Sequence, residues 1–297
     1  MTAGSITRRE IESQPAIWRQ ALSLDGDALA ALPRAGESVL ALGCGTSFYV
    51  LAAYAHRRQA LGGGVTRAAI ASEVDELGRF DRIVYLSRSG TTSELVRADA
   101  AIADGTPTVA ICGTPGSPIA ELADEVVLLS FADEKSVVQT RFATTVLALL
   151  RRSVGEDVAS LPEAAETALA APLELSPDEH DHLVFLGSGW TVPLAHEAAL
   201  KCIEAAQIHA EAYAIGEYRH GPIAAAGART AVWSLAPVPA DLRAAVVATG
   251  ARLVECRRDP LAELVRVHRV ALAYALHRSL DPDRPRHLNR SVILDGQ

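Results

Sequence analysis

The sequence predicts an α/β protein of two similar halves, each a parallel sheet flanked by helices. Short apolar runs alternate with longer Ala/Leu-rich stretches of helical period, the signature of βαβ units. The alternation restarts after a Pro- and acid-bearing stretch at residues 155–177. Both series open on the same phrase, Leu42-Gly43-Cys44-Gly45 and Leu186-Gly187-Ser188-Gly189, 144 residues apart. That offset is about the length of one domain and reads as an internal duplication. Two coincident glycine turns would explain the phrases alone, because tight strand-to-helix turns favour Gly. A chain of 297 residues accommodates two domains of roughly 150 residues.

In order, the first series places strands at Ser38–Leu42, Ala68–Ala71, Ile83–Leu86, Thr108–Ile111 and Val126–Leu129. Helices are expected at Phe48–Leu61, Ser93–Asp104 and Ile119–Ala123, with a long one from about Ser136 to Ser153. The boundary stretch holds an Ala-rich helix around Glu163–Ala171. The second series gives strands at His182–Leu186, Thr230–Leu235 and Arg252–Cys256, and helices at Val192–Ala206, Asp241–Thr249 and Glu263–Leu280. The segment from Glu211 to Pro222 reads as loop-like.

Composition narrows the function classes. Hydrophobic residues make up 49% and charged residues 22%, the balance of a folded globular chain. The net charge of −8 argues against nucleic acid as a principal partner, because a phosphate backbone needs a basic surface. No apolar run reaches the roughly 20 residues of a membrane helix, and the polar N-terminus shows no secretory signal. Cys44, Cys112, Cys202 and Cys256 form no CxxC pair and read as reduced thiols of a cytoplasmic protein. His180 and His182 are the only close histidine pair and read as a solvated loop, so neither metal nor cofactor is expected. Gly43-Cys44-Gly45 and its repeat lack the third glycine of a dinucleotide fingerprint, with Phe48 and Val192 in that place.

Two turns carry anion chemistry. Gly45 is followed by Thr46 and Ser47 at a helix start, and Ser87-Arg88-Ser89-Gly90-Thr91-Thr92 follows the strand ending at Leu86. Hydroxyls and backbone N–H groups at such turns hold a phosphate, or else simply cap helices. Of 28 basic residues only Lys135 and Lys201 are lysine, so a retained lysine points to a need for an amine. Lys201 and Glu204 share a helix face. Either Glu204 is a base beside an ammonium, or Glu197, Lys201 and Glu204 form an exposed ladder. His220, before Gly221-Pro222, belongs in a turn, as a proton shuttle or as a histidine facing water.

These phrases, together with Glu197–Pro222 (EAALKCIEAAQIHAEAYAIGEYRHGP) and Asp283–Val292 (DRPRHLNRSV), resemble the sugar isomerase (SIS) family. The resemblance is greatest to the isomerase half of glutamine–fructose-6-phosphate aminotransferase and its stand-alone relatives. It implies two flavodoxin-like αβα (SIS) subdomains with parallel sheets, at residues 25–155 and 156–280. An N-terminal arm, 1–24, would precede them, and a tail, 281–297, would close over the active site. It further implies a homodimer with shared active sites, acting on a small-molecule sugar phosphate. Ser47, Ser87, Ser89 and Thr92, with Arg88, would hold the phosphate. Gly45, Thr46, Glu134, Val137 and Arg290 would face the substrate. Glu204 would move a proton between C1 and C2, His220 would open the ring, and Lys201 would assist.

The chain departs from the synthase at Arg290, where the family's tail carries a lysine, so imine chemistry from the tail is excluded. With only residues 1–24 ahead of the first subdomain, a glutaminase and glutamine-dependent amination are not expected. The reading is therefore an isomerase or deaminase of an amino-sugar 6-phosphate. A dehydratase of the N-acetylated sugar and an isomerase of a neutral hexose phosphate are alternatives using the same proton abstraction. A non-catalytic sugar-phosphate sensor is the alternative from another class, and it would have no use for Glu204 and His220.

Overall fold

The computed structural model describes residues 2–74, 78–100, 102 and 105–294, without the side chains of residues 27 and 28. The chain divides into two compact units. The first comprises Ala16–Glu134, Arg141–Ala159 and Asn289–Gln297; the second comprises Met1–Pro15, Lys135–Thr140 and Ser160–Leu288. Helix α1 (Ser5–Leu22) opens the chain, with Pro15 inside it.

In the first unit α2 (Gly26–Ala30) precedes β1 (Val39–Gly43), α3 (Thr46–Ala60), β2 (Thr66–Ile70) and β3 (Arg82–Ser87). Then come α4 (Ser93–Asp99), β4 (Thr108–Cys112), α5 (Pro118–Leu122), β5 (Glu125–Leu128) and α6 (Arg141–Ser153). The sheet order is β2-β1-β3-β4-β5 and every pairing is parallel. β1, β3 and β4 are buried along their whole length, as strands covered on both faces must be. One layer of the core joins Leu40, Leu42, Ile83, Tyr85 and Leu95.

The second unit holds α7 (Leu161–Ala170), β6 (His182–Gly187), α8 (Thr191–Ala206) and β7 (His209–Ala214). These are followed by β8 (Thr230–Ser234), α9 (Ala240–Ala248), β9 (Arg252–Glu255) and α10 (Pro260–His277). Its sheet order, β7-β6-β8-β9, repeats that of the first four strands of the other unit and is again parallel. The repeated phrase does the same work in both. Gly45 and Gly189 have φ of 53° and 55°, a left-handed turn that glycine adopts without strain. A Cβ on Gly43 or Gly187 would come within 2.9 Å or 2.3 Å of the following helix backbone. The expected α/β class with two parallel sheets is therefore what the chain adopts.

Four local expectations are corrected. The loop-like reading around Glu211 gives way to β7, an edge strand whose His209, Glu211 and Tyr213 alternate with alanines. No apolar run marks it, because one side of its side-chain alternation is polar and the other carries only methyl groups. α6 begins at Arg141, not near Ser136. Glu134 accepts the first N–H groups of α6 from Arg141 and Phe142 at 2.9 and 3.2 Å, while Ser136 is held by the Glu10 carboxylate through its backbone N–H at 3.3 Å. The histidines 180 and 182 are no solvated loop: His180 is buried and His182 starts β6. The helix expected over Ser93–Asp104 is α4, which ends at Asp99; Ala101, Ala103 and Asp104 lie outside the described residues.

Two carboxylates late in the chain cap α1. Asp283 accepts from Ile6 N, Thr7 N and Thr7 Oγ1 at 3.0, 2.8 and 2.7 Å, and Asp281 accepts from Gly4 N at 2.9 Å. All four cysteines are free. Among the described residues no helix is long and apolar enough to cross a membrane.

Candidate active site

In an open parallel sheet the crevice lies where the strand order reverses, outside the carboxyl ends of the strands. In the first unit that point falls between β1 and β3, neighbours whose connections leave in opposite directions. The Gly43–Ser47 turn follows β1 and the Ser87–Thr92 loop follows β3, so both predicted anion turns stand at the switch point. Thr46 and Ser47 are buried in the first turn of α3, and Gly45 is exposed.

The second loop gathers hydroxyls. Ser87 Oγ lies 3.0 Å from Thr92 Oγ1 and 3.4 Å from Ser89 Oγ, and it accepts from Gly90 N at 3.0 Å. Thr91 Oγ1 bonds Ser89 Oγ at 3.1 Å. Gly90 turns left-handed with φ 67°, and a Cβ there would stand 1.9 Å from Ser117 Oγ. Each hydroxyl is both donor and acceptor, so this cluster can turn its protons towards an anion without rebuilding the backbone. Arg88 between them is buried, its Nη2 donating to the Arg290 carbonyl at 3.1 Å.

The tail reaches the same loop. Ser291 Oγ lies 3.1 Å from Ser89 Oγ and 2.9 Å from Thr91 Oγ1, and Ser93 N donates to the Val292 carbonyl at 3.3 Å. Arg290 binds the Asp133 carboxylate at 2.5 and 2.7 Å and also donates to the Glu134 carbonyl. The Glu134 carboxylate is fully buried, capping α6 and standing 4.0 Å from Arg88 Nη1. Val137, half-buried, belongs to the second unit. Thr91 and Ser291 were not singled out from sequence. Thr91 had a signal in the SRSGTT phrase, whereas Ser291, 200 residues downstream, had none of its own.

In the second unit α8 carries Glu197, Lys201 and Glu204 on one face. Lys201 Nζ stands 2.5 Å from Glu204 Oε2 and 3.5 Å from Glu197 Oε1. The side chains of Lys201 and Glu197 are only 1% and 2% exposed, so the trio is not a surface ladder. Glu204 keeps 20% exposure and lines an open cavity of about 540 Å³, with His209, Arg286 and His287 also on its wall. One ammonium thus serves two carboxylates, and the one that reaches solvent is Glu204. Behind them Cys202 and His268 are buried. Burial pushes the Cys202 thiol up to about 12 in spite of Lys201, which keeps it protonated. Burial, assisted by the Lys201 charge, drives His268 down to about 3, so its ring is neutral. His220 follows a 3-10 turn at Glu217–Arg219 and is exposed. Outside these groups, His182, His209 and Glu211 bring three potential ligand atoms within 4.8 Å of one another.

Comparison with known proteins matches residues 34–151 to the SIS domain family. The glutamine–fructose-6-phosphate aminotransferase [isomerizing] of Xylella fastidiosa is 27% identical over 358 aligned residues, covering 97% of this chain and 59% of that protein. The chain spans about half the length, or less, of the curated relatives it matches, from 35% to 59%. Among solved structures, glucosamine-6-phosphate deaminase from Thermotoga maritima superposes with a TM-score of 0.83 at 25% identity, covering 98% of this chain and 100% of that one. The tagatose-6-phosphate ketose/aldose isomerase of Escherichia coli shares the fold, with a TM-score of 0.78, 19% identity and 99% coverage of both chains.

Proposed function

We propose that this SIS-domain protein is a phosphosugar isomerase or deaminase acting on an amino-sugar 6-phosphate, with glucosamine 6-phosphate as the type substrate. The reading is supported most by the Lys201–Glu204 pair at the edge of an open cavity. A carboxylate held beside an ammonium and partly open to a cavity is placed to take a proton from carbon. The likeness to the Thermotoga deaminase and to the aminotransferases favours an amino sugar over a neutral hexose.

In this proposal Ser47, Ser87, Ser89 and Thr92 hold the 6-phosphate, with Thr91 and Arg88 supporting the loop. Binding a phosphate remote from the reacting carbons orients the chain of the open sugar and lends its energy to the proton transfer. His220 protonates the ring oxygen as the ring opens. Glu204 then removes the C2 proton, which is acidic because C1 has become a carbonyl, and Lys201 steadies the enolate oxygen. Reprotonation at C1 leaves an imine at C2 where the substituent is an amine, and water hydrolyses it with release of ammonia. The assembly that goes with this reading is a homodimer in which His220 serves the partner's substrate. The protein is proposed to work in the cytoplasm, without cofactor.

The test is proton NMR of the protein with glucosamine 6-phosphate in D2O. Exchange of the C2 proton, with ammonia and fructose 6-phosphate appearing, supports the deaminase. A new vinyl proton from N-acetylglucosamine 6-phosphate would replace it by a dehydratase. If neither sugar exchanges its C2 proton, the amino-sugar reading is overturned, in favour of another sugar phosphate or of binding alone.

A further inference from the structure

At the start of β6 and β7 the register sets two histidines side by side. His182 pairs with His209 across the two strands, and their rings stack with centroids 4.5 Å apart and planes 12° from parallel. Side chains two residues apart share a face of a strand, so Glu211 stands on the same side of β7 as His209. Its two oxygens divide between the rings: His182 Nε2 lies 3.3 Å from Oε2 and His209 Nε2 lies 3.3 Å from Oε1.

We infer that His182, His209 and Glu211 form a binding site for a divalent transition-metal ion of the zinc type. Two imidazoles and a carboxylate are a donor set that suits zinc, with the remaining position open to water. Ligands about 2.0–2.1 Å from a tetrahedral ion stand roughly 3.3 Å from one another, the separation of each Nε2 from its carboxylate oxygen. The supports behind the ligands also fit. His182 Nδ1 lies 3.2 Å from Thr230 Oγ1, itself fixed by the Gly227 N–H at 3.1 Å. With Nδ1–H donating to Thr230, Nε2 turns its lone pair towards the site, as around metal-bound imidazoles. Tyr213 shares that strand face with Glu211 and His209. Because the rings are nearly parallel, both lone pairs reach one ion only when a ring tilts. His209, 66% exposed, has that freedom, whereas His182 at 13% is held.

An ion here would fasten the edge strand β7 to β6 beside the cavity wall to which His209 belongs. The inference does not depend on the proposed reaction, because its test reads binding. The chelator-treated full-length protein is titrated calorimetrically with zinc chloride, and with cobalt chloride while visible absorption is followed. The expected result is one equivalent per chain, a cobalt d–d band, and affinity lowered by about tenfold or more in Thr230→Val. Binding should be lost in His209→Ala and in Glu211→Gln, two exposed or half-exposed positions whose replacement leaves the core untouched. Absence of zinc binding to the wild type overturns the site and leaves Glu211 as an acceptor of two ring N–H groups. Unchanged binding in both variants overturns it equally, by placing the ion on other histidines.

Discussion

Lys201 Nζ stands 2.5 Å from Glu204 Oε2 inside a helix face where the lysine is 1% exposed. An ammonium removed from water this far is stabilised by its carboxylate partners. Lys201→Met removes the ammonium 3.5 Å from the buried Glu197 carboxylate and should lower stability by about 3–5 kcal/mol in urea unfolding. The double variant Lys201→Met/Glu197→Gln should regain part of that loss. Equal stability of single and double variants would dissociate Glu197 from the pair.

Glu204→Gln keeps the shape and removes the base. Turnover, or C2 exchange, should fall by about 10²–10⁴-fold while sugar-phosphate binding by calorimetry stays within a few-fold of wild type. Retained exchange would remove Glu204 from the proposed mechanism.

The phosphate loop is tested by Ser89→Ala, which deletes a hydroxyl bonded to both Thr91 and Ser291. A hydrogen bond to a charged group contributes about 1.5–3 kcal/mol, so affinity for fructose 6-phosphate should drop by roughly ten- to a hundredfold. Unsubstituted fructose should bind both proteins alike. A drop shared by the unphosphorylated sugar would place the defect elsewhere.

Glu134 carries a structural load that its proposed place beside the substrate does not require. It accepts from Arg141 N and Phe142 N at the start of α6 and faces Arg88. Glu134→Gln should cost about 1–2 kcal/mol through the weakened cap, measured as a fall in the urea midpoint at unchanged slope. Restoration of stability by Glu134→Asp would show that the charge matters more than reach.

Buried His268 makes stability depend on pH. Its folded-state value lies at about 3 against 6.5 for an unperturbed ring, so between these limits the unfolded chain binds a proton that the folded chain refuses. The contribution is intact above pH 6.5 and is lost as the pH falls towards 3, at up to about 1.4 kcal/mol per unit. Denaturation curves from pH 7 to 4 should flatten in His268→Gln. Parallel slopes in both proteins would assign the acid sensitivity to other groups.

The strand–helix alternation was legible because buried parallel strands are continuous apolar runs, as in Ile83–Leu86 and Thr108–Ile111. β7 was hidden because histidine, glutamate and alanine carry no such run. α1 was hidden too, its helical run interrupted by Pro15 and surrounded by polar residues. Of the candidate site, the contiguous parts could be read: GCGTS, SRSGTT and the i,i+3 pair of Lys201 and Glu204. Ser291 beside Ser89 could not, since their approach is created by the tail's path, and neither could the partnership of His182 with His209, which a parallel register across 27 residues creates. His268 behind Lys201 belongs to the same class, a meeting of α8 and α10 that only tertiary packing defines.

The carboxylates of Asp281 and Asp283 that cap α1 lie up to 277 residues beyond the amides they receive. On a ribosome adding roughly 5–20 residues per second, the opening turn of α1 waits tens of seconds for its acceptors. α1 is thus made long before it is finished. A chain ended anywhere before residue 281 would carry an α1 whose opening amides have never met the carboxylates that receive them.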